Sequence, residues 1–227
     1  MELEDRLAGV DARIADAARA AGRDPQEITR IVVTKFHPAR LVEDLYRLGV
    51  RDVGENRQQE LSEKSLTIGD REGLRWHFIG QAQTNKAKAI RAAAAAVHSV
   101  DRPKIADALD AAGGSDDPPL DVLLQVNLTA DPGRGGVAER ELEGLATHVA
   151  GCRTLRMRGV MAVAPLDEDP AAAFERLAAC AAVVRSVDPA ATWISAGMTA
   201  DFPQAIAAGA THLRIGSAIT GQRPPHG

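Results

Sequence analysis

The chain holds 227 residues with 27 basic and 31 acidic side chains and a formal net charge of −4, enough for one substantial domain and cramped for two. At 45% hydrophobic and 26% charged residues it has the composition of a packed globular protein, which excludes wholesale disorder. The longest apolar run, Ala92 to Val97, is too short to span a bilayer, Met1 to Asp5 is acidic where a secretory signal is basic, and the two cysteines, Cys152 and Cys180, show no histidine at metal-ligand spacing.

The expectation is therefore a cytoplasmic protein with no membrane segment, no metal and no disulfide framework. Its mild acidity argues against a surface built for nucleic acid.

In chain order, Leu3, Leu7, Val10, Ile14, Ala17, Ala18 and Ala21 fall at three- and four-residue spacing ahead of Gly22. That pattern predicts an amphipathic helix over 3–21 with a glycine stop. The run Arg30-Ile31-Val32-Val33-Thr34-Lys35 is β-branched, too short for a helix and closed by His37-Pro38, so it reads as a buried strand. A helical pattern through Leu41, Val42, Leu45 and Leu48 reaches Gly49, and a short strand over 51–55 follows. The alternation continues with helices over 57–64, 84–95, 102–112, 138–150, 171–187 and 201–208. Strands are expected over 74–79, 97–100, 120–127, 154–162, 192–196 and 211–215. Gly113 to Pro119 is the one clear loop and reads as an exposed connection.

Eight strands, each followed by a helix or a final short turn, predict a single α/β domain over 1–227: a (β/α)8 TIM barrel with an extra N-terminal helix. The competitor is an open doubly wound sheet. The barrel is preferred because no GxGxxG follows the first strand and polar residues close the strands throughout, at Lys35, Glu55, His77, Asn127, Ser195 and Arg214.

In such barrels the site lies at the C-terminal ends of the strands, often with a phosphate held after strands seven and eight. Those places read Ser195-Ala196-Gly197-Met198-Thr199-Ala200-Asp201 and Arg214-Ile215-Gly216-Ser217-Ala218-Ile219. Small residues, hydroxyls and amides at a helix start suit a phosphate cradle. Tight turns at Gly197 and Gly216, with Thr199 or Asp201 as a helix cap, are the bland alternative. Lys35, at the end of strand one, is placed to present a partly desolvated amine for a Schiff base. The alternative is a surface lysine or an ion pair with Glu55. Such an amine facing a phosphate cradle points to pyridoxal 5′-phosphate or to a phosphosugar aldehyde. Arg214 would set a guanidinium beside a pyridine nitrogen or would pair with Asp201. Lys86, Lys88 and Arg91 form a basic helix face, read as solvated, with anion binding as the alternative. His77 reads as a mouth-facing polar group or a core histidine.

Taken together, the motifs resemble the YggS/PROSC family of pyridoxal phosphate homeostasis proteins. The matching stretches are Val33-Thr34-Lys35, Gly54-Glu55-Asn56-Arg57-Gln58-Gln59-Glu60, Trp76-His77-Phe78-Ile79-Gly80, Gln83-Thr84-Asn85-Lys86 and Val97-His98-Ser99-Val100-Asp101. They continue with Gln125-Val126-Asn127, Arg158-Gly159-Val160-Met161 and the two loops after strands seven and eight, colinear from about residue 30 to Arg223. The resemblance implies a barrel like the N-terminal domain of bacterial alanine racemase with covalently bound pyridoxal phosphate. It implies that Lys35 forms the Schiff base and that Arg214 faces the pyridine nitrogen. By the same resemblance Ser195, Gly197, Met198, Thr199, Gly216 and Ser217 hold the phosphate, with Asn56 and His77 near the cofactor. Ala82, Ala196 and Thr220 depart from the usual leucine, methionine and phenylalanine, and Asp131 and Arg134 keep the charges of a usual glutamate and lysine.

The implied role is a non-catalytic, monomeric carrier that buffers pyridoxal phosphate and delivers it to apo-enzymes. A weakly active amino-acid racemase is the rival, expected to need a second acid-base group that related racemases draw from another domain. A Schiff-base aldolase acting on a phosphosugar is the third reading.

Overall fold

A computed structural model of the protein describes residues 2–114, 116–131 and 133–222. Met1, Ser115 of the expected loop and Arg223, where the family resemblance ends, lie outside them.

The strands are β1 (Thr29–Val33), β2 (Asp52–Glu55), β3 (Arg75–Phe78), β4 (Ala96–Val100), β5 (Leu120–Asn127), β6 (Val137–Ala138), β7 (Leu155–Met161), β8 (Trp193–Ser195) and β9 (His212–Ile215). All pairings are parallel. The order β4-β3-β2-β1-β9-β8-β7-β5, with β4 also pairing β5, closes an eight-stranded barrel. The eight expected strands are the eight staves. The two-residue β6 is an addition, formed where the loop after β5 folds back beside Val126 and Asn127.

The helices are α1 (Leu3–Ala20), α2 (Ala39–Arg47), α3 (Gln58–Ile68), α4 (Ala87–Ala93), α5 (Pro103–Ala111), α6 (Leu142–Ala150), α7 (Pro170–Val187), α8 (Phe202–Ala207) and α9 (Ser217–Thr220). Two expected helices begin as separate 3-10 turns, Thr84–Lys86 before α4 and Glu139–Glu141 before α6. The last helix is a single turn, and α1 covers the gap it leaves by packing against α8 and α9. Its buried face is Leu7, Val10, Ile14 and Ala18, each large apolar side chain contributing about 1.5–3 kcal/mol on burial. Arg6 and Arg23 of this segment donate to the carbonyls of Ile219, and of Ile206 and Ala210, tying it to the C-terminal helices.

The main hydrophobic cluster lies between barrel and helix ring, with Val32, Val53, Phe78, Val97, Val122, Leu124, Val160 and Leu213 among its strand residues. Strand side chains alternate, so their neighbours point inward. Ile31, Val33, Ala96, Leu123 and Met161 are buried but stand apart from that cluster. Polar side chains take further inward positions: Asp52, His77, His98, Asp121, Ser195, His212 and Arg214. Gly159 permits the close approach of β7 to β8, because a Cβ there would come within 1.9 Å of the Trp193 carbonyl oxygen.

Candidate functional site

The C-terminal ends of four consecutive staves, β2-β1-β9-β8, bring most of the expected site residues to one side of the barrel mouth. Asn56 follows β2, Lys35 follows β1, Gly216 and Ser217 follow β9, and Gly197, Met198 and Thr199 follow β8. Arg214 lies within β9, with Ile31 of β1 as its register partner.

Lys35 is not part of the strand. The strand ends at Val33, although Thr34 N still donates to the Gly54 carbonyl at 3.0 Å, because a turn over Thr34 to His37 follows, closed by His37 N donating to the Thr34 carbonyl at 3.1 Å. Phe36 takes the left-handed conformation at φ +67. Lys35 is exposed, which corrects the expected partly desolvated amine. Its Nζ stands 5.7 Å from the Phe36 ring centroid.

The alternative pairing of Lys35 with Glu55 is not found among the described residues, since Lys64 takes that carboxylate at 2.6 Å. Lys64 is a buried cation. It donates also to the Thr34 carbonyl at 2.9 Å and to Glu60 at 3.3 Å, while Thr34 Oγ1 donates to Glu55 and Phe36 N donates to Glu60. Burial raises the pKa of Glu55 against the Lys64 and Thr34 hydrogen bonds. This cluster holds the turn that carries Lys35.

Arg214 is buried, and burial draws its pKa down to about 10, with Asp201 opposing. It therefore stays charged at neutral pH. Nη1 donates to the carbonyl and the Oγ of Ser195, both at 2.7 Å, and Nη2 donates to the Ala162 carbonyl at 2.8 Å. Nε–H and the second Nη2 hydrogen have no acceptor among the described residues. The alternative partner, Asp201, instead accepts from Met198 N at 2.6 Å.

Beneath Arg214 a polar chain runs down the barrel. Ser195 Oγ lies 2.9 Å from His98 Nδ1, His98 Nε2 lies 2.9 Å from His77 Nδ1, and His77 Nε2 lies 2.8 Å from Asp52 Oδ1. Two expectations change here. His77 is buried in mid-barrel between His98 and Asp52 and is not a mouth-facing group. Ser195 is buried with its hydroxyl engaged by Arg214 and His98, so it supports Arg214 from below and does not line a phosphate cradle.

Desolvation lowers the pKa values of all three interior histidines: His77 despite Asp52, His98 well below the usual range, and His212 to about 3. Burial alone would raise Asp52, but its bond to His77 and the nearby cations hold it low.

The loop after β8 turns at Gly197, where φ is +92 and a Cβ would meet Ala205 Cβ at 2.8 Å. Met198 and Ser217 are exposed and Thr199 is half-buried. Gly216 differs from Gly197: a Cβ there would meet nothing closer than Val33 Cβ at 3.7 Å. No neighbouring atom crowds that position, so the space is a hollow at the start of α9.

Residues that were not expected to matter are Lys64, Glu60, His98, Asp52 and His212. A signal for one of them exists, because His98, like the expected His77 on the adjacent stave, occupies an inward position directly after an apolar residue. The metal expectation also needs amendment. His148 lies four residues before Cys152, and with Asp107 the three place ligand atoms within 4.8 Å of one another. The His148 to Asp107 bond at 2.6 Å accounts for that grouping without an ion, and burial pushes the Cys152 thiol up to about 11.

Residues 10–224 match the family model described as alanine racemase, N-terminal domain. The pyridoxal phosphate homeostasis protein of Pseudomonas aeruginosa is 39% identical over 221 residues, covering 97% of this chain and 96% of that protein. PipY of Synechococcus elongatus, solved with PLP bound, is 31% identical with a TM-score of 0.85, covering 97% of this chain and 100% of that one. Alanine racemase from Corynebacterium glutamicum shares the fold, at 17% identity and a TM-score of 0.69, with 97% of this chain and 63% of that chain covered. The chain belongs to the alanine racemase N-terminal domain family and, within it, groups with the pyridoxal phosphate homeostasis proteins.

Proposed function

We propose that this protein binds pyridoxal 5′-phosphate at the barrel mouth and serves vitamin B6 homeostasis by buffering the cofactor and delivering it to apo-enzymes. The residues present suit the group. Asn56 Oδ1 is buried with no partner among the described residues, the hollow at Gly216 would be filled by a Cβ, and Arg214 keeps two donors free. The observation that carries the reading is Arg214, a buried guanidinium fixed by three hydrogen bonds at the strand ends beside the turn of Lys35.

In this reading Lys35 joins the aldehyde as a Schiff base, and Arg214 donates to the pyridine nitrogen. Gly197, Met198, Thr199, Gly216 and Ser217 hold the phosphate, and Asn56 lies beside the ring. The Met198 amide becomes available when Asp201 yields it. Ser195 and His77 act through Arg214, as members of the chain beneath it. When bound, the cofactor supplies a reactive aldehyde and a ring able to withdraw electrons. Arg214 limits the second property: a guanidinium that stays charged does not give the ring nitrogen a full proton, and this weakens the electron sink. The homeostasis names of the curated relatives support the carrier reading over a racemase.

The reading takes residues 1–227 as one domain acting as a monomer in the cytoplasm. No helix among the described residues is long and apolar enough to cross a membrane.

The test is the visible spectrum of the purified protein before and after incubation with pyridoxal phosphate, followed by borohydride reduction and peptide mapping. A protein that stays colourless overturns the reading, and a label on another lysine overturns the site. Amino-acid α-proton exchange in deuterated water with Lys35-dependent turnover would make the protein an enzyme. Size-exclusion chromatography with light scattering tests the monomer.

A further inference from the structure

A cavity of about 690 Å³ lies not at the mouth but at the opposite end of the barrel. It opens where the strands begin. Arg75 starts β3, Asp121 lies at the start of β5, Arg156 and Arg158 lie on β7, and Trp193 starts β8. Lys88 and Arg91 of α4 and the 117–119 segment wall one side, and Ala92, Ala94, Ala95 and Ala112 leave the room.

Five cationic side chains meet here against two carboxylates, in a chain whose net charge is −4. The carboxylates do not neutralise them. Asp121 is shared by three guanidinium groups, with Arg156 Nε at 2.5 Å, Arg75 Nη2 at 3.3 Å and Arg158 Nε at 3.9 Å. Asp117 is engaged by the backbone N–H of Gly114 at 2.8 Å. Arg91 spends its donors on the carbonyls of Leu109, Thr154 and Pro118 and keeps its charge. Lys88 is exposed and has no partner among the described residues.

Arg158 Nε is buried without a hydrogen-bond partner. Its guanidinium lies 4.4 Å from the Trp193 ring centroid, with Arg75 at 5.3 Å from the same ring. Converging like charges and an unpaired buried donor are costly unless an anion joins them. Planar guanidinium forks held against an aromatic wall match the oxygens of phosphate groups.

We propose that the barrel floor is a second binding site, separate from the mouth, for a small oligophosphate: a di- or triphosphate, free or carried by a nucleoside. The volume is that of a small-molecule pocket. The charge is confined to a recess in an otherwise acidic chain, which favours a compact anion over a nucleic-acid strand. Arg158 and Arg75 would bind phosphate oxygens in bidentate fashion and Lys88 would close over the chain end.

Calorimetric titration of the full-length protein with sodium tripolyphosphate and, separately, with ATP tests the proposal. The expected result is saturable one-to-one binding that weakens about tenfold in Arg158→Gln and in Lys88→Ala and is retained in Lys35→Ala. Lys88 is exposed, so its variant reports on binding even if Arg158→Gln folds poorly. Equal affinities for the two ligands assign recognition to the phosphate chain alone, and tighter binding of ATP adds the nucleoside; either supports the site. No saturable binding overturns the proposal. Binding lost in Lys35→Ala but kept in Lys88→Ala overturns it in favour of the mouth. Tighter binding of a single-stranded RNA oligomer through Lys88 and Arg158 overturns it in favour of a nucleic-acid surface.

Discussion

His98 Nδ1 and Ser195 Oγ lie 2.9 Å apart, and the Arg214 guanidinium donates to the same serine oxygen from 2.7 Å. An oxygen already accepting from Arg214 directs its own hydrogen toward His98, so His98 Nδ1 accepts and its Nε2 carries the proton. That proton goes to His77 Nδ1, and the His77 Nε2 proton goes to Asp52. Every donor in the chain points from the mouth toward the floor.

Both histidines should therefore be neutral Nε2–H tautomers at neutral pH, visible in ring nitrogen NMR shifts. Ser195→Ala removes the donor to His98 Nδ1 and leaves a buried acceptor unsatisfied, at a cost of about 1–3 kcal/mol. Urea denaturation measures the loss. An unchanged midpoint together with an unchanged His98 tautomer would refute the chain.

Stability should fall on acidification earlier than carboxylates alone require. A histidine whose folded pKa is depressed stabilises the fold fully above its unfolded pKa, near 6.5, and loses that contribution as pH falls toward the folded value. Each such group adds a slope of about 1.4 kcal/mol per pH unit in that window. The window for His212 runs from 6.5 to about 3. In denaturation series between neutral pH and the onset of acid unfolding, His98→Gln should remove the slope of one proton.

Lys64→Met leaves Glu55 buried without its cation and should cost about 3–5 kcal/mol by thermal or chemical melting. The Thr34 carbonyl and Glu60, which brace the turn of Lys35, lose the same partner. Pyridoxal phosphate retention, followed by absorbance, should fall with stability. Loss of stability with retention unchanged would separate the cluster from the turn.

Gly216→Ala and Gly197→Ala should behave oppositely. The first adds a methyl that meets only Val33 at 3.7 Å and should leave the melting temperature nearly unchanged while weakening pyridoxal phosphate binding, read by fluorescence titration. The second forces a side chain into φ +92 with close contacts to Ala205 and Phe202, costing about 1–3 kcal/mol of stability.

Arg214→Glu should shift the visible band of bound pyridoxal phosphate, because a carboxylate promotes protonation of the ring nitrogen. An unchanged band would mean that Arg214 does not face the ring. The same variant removes the Arg214 donors to the Ala162 and Ser195 carbonyls, so its spectrum should be compared with that of Arg214→Gln.

The local pattern of the chain determined the staves and most of the helices. Strand and helix periodicities depend on nearest neighbours, and runs such as Ile31-Val32-Val33 and the α1 pattern through Leu7, Val10 and Ile14 carry that information directly. That Lys35, Arg214, Gly197 and Gly216 gather at one end of the barrel was legible because strand ends of a parallel barrel converge, and the eight-fold alternation announced the barrel.

Contacts between residues far apart in the chain were decided only by tertiary structure. His98 meets Ser195 across 97 positions and Lys64 reaches Thr34 across 30, and no local periodicity encodes such pairs. Barrel closure turned His77 from an expected mouth residue into an interior link and moved Ser195 beneath Arg214, because strand side chains alternate and the inward ones stack in layers. It also decided what the 227 residues and the net charge of −4 had left open. Composition averages charge over the whole chain, whereas the parallel strands gather Arg75, Arg156 and Arg158 at one end of the barrel and the turns of Lys35 and Gly216 at the other.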